Sequence, residues 1–430
     1  MTADFRAGWV AFIKPRQFFK VGEGWRQPLG MGGLPHEYKG GKIRTMKTFS
    51  FTGAQRIVFG RGSFAGLPVN LAELKITRPL VVLDGSLAAI GFGEKIDELL
   101  KKAGMEFVLY DKALPEPPLE LADDGAKLAL RKKCDGVIGI GGGSAMDLAK
   151  AISVIAANKG KAVDYLGLNK VPGPGLPKIM VPTTAGTGSE VTFTAVFIRK
   201  KLNKKEGMNS PYLYPELALL DPELTLSLPA QATATTGIDA LCHAIESYTS
   251  INASPISEMF SLEAIRLISD NIRTAVHDGS NIEAREAMLL GSLYAGYGLA
   301  NAGVTAVHSL SYPLGGRYGV SHGLANTIIL PKVLAFNLPG ALEKFVDVAE
   351  VMGEIVDELP LREAAYLCVE AVEALIEDCG VTTTLQDLNV PEEDFPLLAQ
   401  AALTVARPLA NNPCRMTEED MIGIYQECHE

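Results

Sequence analysis

In the stretch GIDALCHAIESY (Gly237–Tyr248), Asp239 and His243 stand four residues apart. On a helix that spacing stacks them on one face. Their neighbours are apolar, so the helix is expected to be buried. A buried carboxylate or imidazole is costly unless it is paired, hydrogen-bonded or bound to a metal. The chain holds six histidines: His36 in an N-terminal arm, His429 in the tail, His277 in a polar context, and three others. Besides His243 these are His308 (GVTAVHSLSYPLGG) and His322 (RYGVSHGLANTIILP), fourteen residues apart and both in apolar surroundings. Any one of them alone reads as a satisfied core histidine. Together with Asp239 they complete an Asp/His₃ set. Nitrogen donors with one carboxylate and no thiolate suit Fe²⁺ or Zn²⁺ and disfavour Mg²⁺ or Ca²⁺. Cys242 adjoins His243 but projects about 100° around the helix from it, and reads as packing.

Two glycine-rich loops carry a different chemistry. GVIGIGGGSAMDLAK reads as a strand, a glycine turn and a helix start. Gly141, Gly142 and Gly143 let the backbone approach an anion, and Ser144 is placed to cap a helix whose free N–H groups favour phosphate. Ser144 also stands where a GxGxxG fingerprint has its third glycine, so alone the stretch is equally a tight strand-to-helix turn. The second loop, VPTTAGTGSEVT (Val181–Thr192), packs two glycines and five hydroxyl residues into twelve positions. That density suits a pyrophosphate or a ribose. Two such loops, each after a strand, point to a dinucleotide lying across strand C-termini. Asp84 ends RPLVVLD, where a carboxylate can accept adenosine ribose hydroxyls and repel a 2′-phosphate. Asp-Gly is also a common turn pair.

These residues need a scaffold. From Met46, β-rich runs (RPLVVLDGS, MEFVLYD, CDGVIGIGGGS, PKIMVPTT) alternate with helical ones (FGEKIDELLKKAG, ELADDGAKLALRKK, SAMDLAKAISVIAAN). Such alternation indicates βαβ units and a parallel sheet. After DPELTLSLPAQ helical periodicity takes over. The expected fold is an α/β dinucleotide-binding domain with a parallel sheet over 46–225, joined to an all-helical metal-binding domain over 226–430. Residues 1–45 hold both tryptophans and little periodicity. They read as an unassigned arm, Met46 being the preferred start, since strand-like alternation begins abruptly at MKTFSFTGAQRIVFG.

Composition narrows the partners. A net charge of −10 argues against nucleic acid or an anionic membrane surface. No apolar run reaches the roughly eighteen residues of a spanning helix. Six scattered cysteines without a CxxC pair fit a reduced, cytoplasmic setting. A homo-oligomer, dimer or higher, is expected.

In this order and spacing, GIGGGSAMDLAK, TTAGTGSEVT, GIDALCHAIESY and VHSLSYPLGGRYGVSHGLANTIILP resemble the iron-containing (group III) alcohol dehydrogenase family. The likeness runs from about Met46 to the C-terminal LANNP and TEEDMIGIY segments. It implies an active site in the cleft between the two domains, NAD as cofactor, Fe²⁺ or Zn²⁺ as metal, and a small alcohol or aldehyde as substrate. Residue by residue it implies metal ligands at Asp239, His243, His308 and His322. It implies cofactor contacts at Gly141, Gly142, Gly143, Ser144, Asp147, Thr183, Thr184, Thr187 and Ser189. Asp84 falls on its NAD-selecting carboxylate, Lys205 on a cofactor-contacting lysine, and Thr194 and Leu299 on substrate-pocket positions. One position departs: four residues after His308, many members carry a histidine thought to help move the proton, and this chain has Tyr312. The SYP form also resembles the hydroxyacid–oxoacid transhydrogenase branch.

The implied reaction is reversible hydride transfer between nicotinamide and a small primary alcohol or aldehyde, with a Lewis-acid metal at the substrate oxygen. Dehydroquinate synthase-like lyases also join NAD to a metal, but the C-terminal half is acid-rich where they would need basic residues for a phosphate. A non-enzymatic metal- or nucleotide-binding protein would not need two loops and four ligands converging on one cleft.

Overall fold

The computed structural model describes residues 48–199, 202 and 204–429. The arm, residues 1–45, with Met46 lies outside them. Six strands form one sheet: β1 (Ile57–Phe59), β2 (Pro79–Asp84), β3 (Val108–Ala113), β4 (Gly136–Gly141), β6 (Lys178–Pro182) and β9 (Leu217–Leu220). Their order is β1-β9-β6-β4-β2-β3, and every pairing is parallel. Five helices accompany the strands: α1 (Leu67–Glu73), α2 (Gly85–Ala89), α3 (Phe92–Lys102), α4 (Glu120–Lys132) and α5 (Gly143–Ala157).

Successive strand residues serve opposite faces. Leu80 and Val82 enter a core with residues of α4 and α5, while Val81 and Leu83 enter another with residues of α1 and α3. A sheet covered on both sides is why PLVVLD, GVIGIG and KIMVP are almost wholly buried, apolar runs rather than alternating ones. From β2 the chain steps outward to β3, then returns to the other side of β2 as β4. That reversal opens a crevice at the C-terminal ends of β2 and β4, the usual ligand position in such sheets.

Two features depart from the sequence reading. A small sheet of β5 (Gly167–Leu168), β7 (Thr194–Arg199) and β8 (Lys204–Asn209) was not foreseen, with β7 and β8 antiparallel. Among the described residues the alternation after Met46 yields a strand only at β1, an edge strand whose neighbour is the short β9. Upstream, Phe51 instead stacks on Phe260 and Tyr297 at ring separations of 5.5 and 5.6 Å.

Beyond β9 the described chain is helical: α6 (Ala230–Thr249), α7 (Pro255–His277), α8 (Ile282–Ala302), α9 (Ala306–Tyr318), α10 (His322–Asn337), α11 (Leu342–Val351), α12 (Leu361–Asp378), α13 (Phe395–Leu403), α14 (Ala406–Asn411) and α15 (Glu418–Glu427). Helix α6 lies at the centre, against α7, α8 and α10, and every residue from Gly237 to Thr249 is buried. The loop after β6 meets this helical part backbone to backbone. Gly188, at φ +60°, lies so near α8 that a Cβ on it would sit 2.4 Å from the Cα of Gly296. All six cysteines are free. No helix among the described residues is long and apolar enough to cross a membrane.

Candidate active site

Three helices deliver the four residues singled out by spacing. Asp239 and His243 lie on one face of α6, His308 is in the first turn of α9, and His322 opens α10. One ligand atom from each lies within 4.8 Å of all the others. The Nε2 atoms of His243 and His308 face each other at 3.0 Å, and Asp239 Oδ1 lies 3.7 Å from His243 Nε2 and 3.9 Å from His322 Nε2. Burial outweighs the pull of Asp239 and keeps the imidazoles of His243 and His322 below their ordinary range, His322 well below. Each neutral ring keeps one unprotonated nitrogen, so the cluster can offer three imidazole lone pairs beside the Asp239 carboxylate. The Asn326 amide reaches into the cluster, 2.6 Å from Asp239 Oδ1 and 3.3 Å from His308 Nε2 and His322 Nε2. Ligand atoms about 2.0–2.2 Å from a tetrahedral ion stand about 3.3–3.6 Å apart. The donor set therefore fits a divalent transition metal in chemistry and in size.

Sequence reasoning passed over two residues here. Asn326 follows His322 by four positions, and Glu246 follows Asp239 by seven. Both spacings return to the same helix face. Glu246 is 1% exposed and accepts from His308 Nδ1 at 2.5 Å. The signal lay in GIDALCHAIESY itself, as a third polar residue on an otherwise apolar helix.

The other cluster gathers at the C-terminal ends of β2, β4 and β6. A Cβ at Gly141 (φ +143°) would meet the Cβ of Asp84 at 2.8 Å, so these two chains touch at the crevice. A Cβ at Gly142 would lie 3.6 Å from Thr184 Oγ1, and one at Gly143 2.8 Å from Thr187 Cγ2. Thr183 N donates to Gly141 O at 3.0 Å. The two glycine-rich loops thus lie side by side. Asp84 caps α2 by accepting from Ser86 N at 2.9 Å and Ser86 Oγ at 2.5 Å.

The capping role expected of Ser144 is corrected. The N-cap of α5 is Gly142, which makes no side-chain cap, while Ser144 sits inside the first turn and accepts from Glu116 N at 3.3 Å. With glycine at the cap position, the first-turn N–H groups are left without a side-chain cap.

Asp147 and Ser189 are joined to each other. Asp147 Oδ1 accepts from Ser189 Oγ at 2.6 Å and pairs with Lys150 Nζ at 3.1 Å, while Oδ2 accepts from Val196 N at 2.8 Å. They fasten α5 to the loop and to β7. Lys205, on β8, pairs with Glu116 Oε2 at 2.7 Å and stands 5.9 Å from the ring centre of Tyr312. Tyr312 itself lies edge-on to His308, centroids 6.1 Å apart, and 5.8 Å from His322. Burial, then the charges of Asp239, Glu116, Glu246 and Asp147, push its phenol well above the ordinary value. Thr194 donates its hydroxyl across the β7–β8 hairpin to Asn209 Oδ1 at 2.8 Å, and Leu299 lies in α8.

Residues 54–222 match the model of the iron-containing alcohol dehydrogenases, and residues 233–429 match that of the Fe-containing alcohol dehydrogenase family C-terminal region. The chain belongs to the iron-containing alcohol dehydrogenase family. Its activity is accordingly that of an alcohol dehydrogenase, with iron as the family's metal. Among relatives of this family, long-chain-alcohol dehydrogenase 1 of Geobacillus thermodenitrificans (strain NG80-2) is 40% identical over 380 residues, covering 86% of this chain and 96% of that one. A crystal structure of 1,3-propanediol oxidoreductase superposes with a TM-score of 0.86 at 36% identity, covering 89% of this chain and all of that one. The sulfoacetaldehyde reductase of Bifidobacterium kashiwanohense, solved in complex with NAD⁺, gives a TM-score of 0.81 at 29% identity, over 89% of this chain and 99% of that one.

Proposed function

We propose that this enzyme interconverts a small primary alcohol and its aldehyde, with Fe²⁺ held by Asp239, His243, His308 and His322. The carrying observation is the convergence of the Asp239 carboxylate and three imidazoles, with one ligand atom of each within 4.8 Å of the others and the Asn326 amide donating to Asp239 Oδ1. When bound, Fe²⁺ supplies Lewis acidity that polarises the C–O group of the substrate. Residues 46–225 form the dinucleotide-binding domain in this reading and 226–430 the metal-binding one. The first-turn N–H groups of α5 and the hydroxyls of Thr183, Thr184 and Thr187 hold the pyrophosphate. Asp84 accepts the adenosine ribose hydroxyls and repels a 2′-phosphate, which sets NAD above NADP. The protein residues orient the nicotinamide against the substrate carbon and keep bulk water away, which is their main contribution to such a step. 1,3-Propanediol and sulfoacetaldehyde, in the names of two relatives, both present a terminal alcohol or aldehyde carbon. The free cysteines support a reducing, cytoplasmic setting.

Oxidation of NADH and of NADPH with a panel of aldehydes and 2-oxoacids, before and after chelation, tests this reading. NADH with unbranched aldehydes is expected to be the fastest pair, abolished by chelator and restored by Fe²⁺. Turnover of 2-oxoacids alone would instead favour the hydroxyacid branch that the SYP form resembles, and a preference for NADPH would remove the role given to Asp84.

Tyr312 is assigned a packing role. Its ring closes the space beside His308 and His322, and a phenol raised in pKa is a poor relay near neutral pH. Tyr312→Phe keeps the ring and loses the hydroxyl. Turnover is expected to fall less than about tenfold, under about 1.4 kcal/mol of barrier. A loss of a hundredfold at unchanged metal content would make the hydroxyl catalytic.

A further inference from the structure

Helix α6 does more than present Asp239 and His243. One turn further along the same stripe, Glu246 turns both carboxylate oxygens towards the start of α9. Oε1 accepts from Thr305 Oγ1 at 2.7 Å and from Val307 N at 2.9 Å. Oε2 accepts from His308 Nδ1 at 2.5 Å, with the Cys242 thiol 3.8 Å away. Glu246 is 1% exposed, so these contacts are shielded from water.

Two consequences follow from the chemistry of a carboxylate. It only accepts, so the proton of the His308 ring lies on Nδ1. The lone pair is thereby left on Nε2, the atom that faces His243 Nε2 at 3.0 Å and belongs to the four-residue cluster. The second consequence concerns the helix. Thr305, the N-cap residue of α9, makes no side-chain cap and gives its hydroxyl to Glu246 instead. A carboxylate from a neighbouring helix therefore takes a first-turn N–H of α9 and sits at its positive end. A cap alone would use one oxygen. Here the second oxygen holds the ring.

We infer that Glu246 is a positioning residue for the metal site, fixing the tautomer and the direction of His308 from a helix that itself supplies two ligands. The inference rests on the proposed reading that His308 is a ligand. Carboxylates behind ligating histidines typically contribute 10–100-fold in metal affinity.

Glu246→Gln is the sharp test, because it is isosteric and replaces two acceptor oxygens by one. The amide must either turn its NH₂ towards Val307 N or donate to His308 Nδ1, which moves the ring proton to Nε2 and removes the lone pair from the cluster. Zn²⁺ serves as the diamagnetic probe. Chelator competition measures its affinity, and proton NMR of the Zn²⁺-loaded enzyme reads the imidazole N–H held by the carboxylate. The expected result is affinity lower by about 10–100-fold and loss of that downfield N–H signal. A fold-stabilising role alone would leave the signal in place. His308→Ala is measured in parallel. If His308→Ala loses Zn²⁺ while Glu246→Gln binds it as the parent does, the role of Glu246 is overturned and the ligand set stands. If His308→Ala keeps full affinity, the ligand reading fails and this inference with it. Should Glu246→Gln not fold, Glu246→Asp keeps the charge but draws the oxygens back by one methylene. Weakened Zn²⁺ binding there supports the inference, and parent-like binding overturns it.

Discussion

His308→Ala is expected to abolish stable iron binding and to lower turnover by more than about a hundredfold, beyond what loss of an outer partner would cost. The ring is 2% exposed and stands between Glu246 on one nitrogen and His243 on the other. Alanine removes one of three nitrogen donors and leaves the Glu246 carboxylate buried without its ring partner. Three ligands then remain, one of them on each of α6 and α10 and the carboxylate again on α6. Metal analysis of the purified variant, beside alcohol oxidation with added Fe²⁺, checks this. Full occupancy with near-parental turnover would remove His308 from the site. Because Glu246 Oε2 also loses its ring donor while Oε1 keeps Thr305 and Val307, a loss of stability of the metal-free protein is expected alongside, of about 1–3 kcal/mol.

Glu190→Gln is expected to stabilise the protein at pH 8 and to change little near pH 4.5. Glu190 sits in a short turn after Gly188, 1% exposed, with Oε1 unpartnered. Burial pushes its carboxyl from 4.5 up to about 7, and nearby Lys150 offsets only part of that. The folded chain therefore holds a proton on Glu190 that the unfolded chain has already released between those values. Stability is lost as pH rises through this window, because the folded state must ionise a buried group. At one pH unit per 1.36 kcal/mol the penalty approaches about 3 kcal/mol above pH 7. Glutamine keeps the shape and removes the titration. Thermal melts of both proteins at pH 4.5 and 8 decide it: equal shifts at the two values would mean that Glu190 does not titrate in this range.

The parallel sheet was legible because strands buried on both faces are written as unbroken apolar runs. PLVVLD, GVIGIG and KIMVP could hardly be anything else. The β7–β8 hairpin was not legible: KKEGMN carries two lysines, a glutamate and a glycine, and its strand character comes from pairing with β7 rather than from its own preference. At the metal centre, histidines are rare enough that their apolar contexts stood out. Glu246 and Asn326 did not, since glutamate is an ordinary helix residue and asparagine an ordinary polar one. Only the three-dimensional meeting of α6, α9 and α10 gives them a partner. The cap of α5 was misread for a related reason. Serine is the commoner cap by chemistry, but the helix already begins at Gly143, where the close approach of Thr187 leaves no room for a Cβ, so Ser144 falls inside the first turn.

The contact of Gly188 with Gly296 has a consequence for how this protein can vary. A Cβ on Gly188 would meet the Cα of Gly296, and one on Gly296 would meet both the Cα of Gly188 and Cγ2 of Val191 at 2.8 Å. In most packed pairs, enlarging one side chain can be offset by shrinking its neighbour. Here neither residue has anything to give up. The pair admits no second-site suppressor within itself, and Gly188 is further confined by its left-handed backbone. Any chain that enlarges either residue must move a helix or a loop, and the loop in question begins at Thr183 and Thr184.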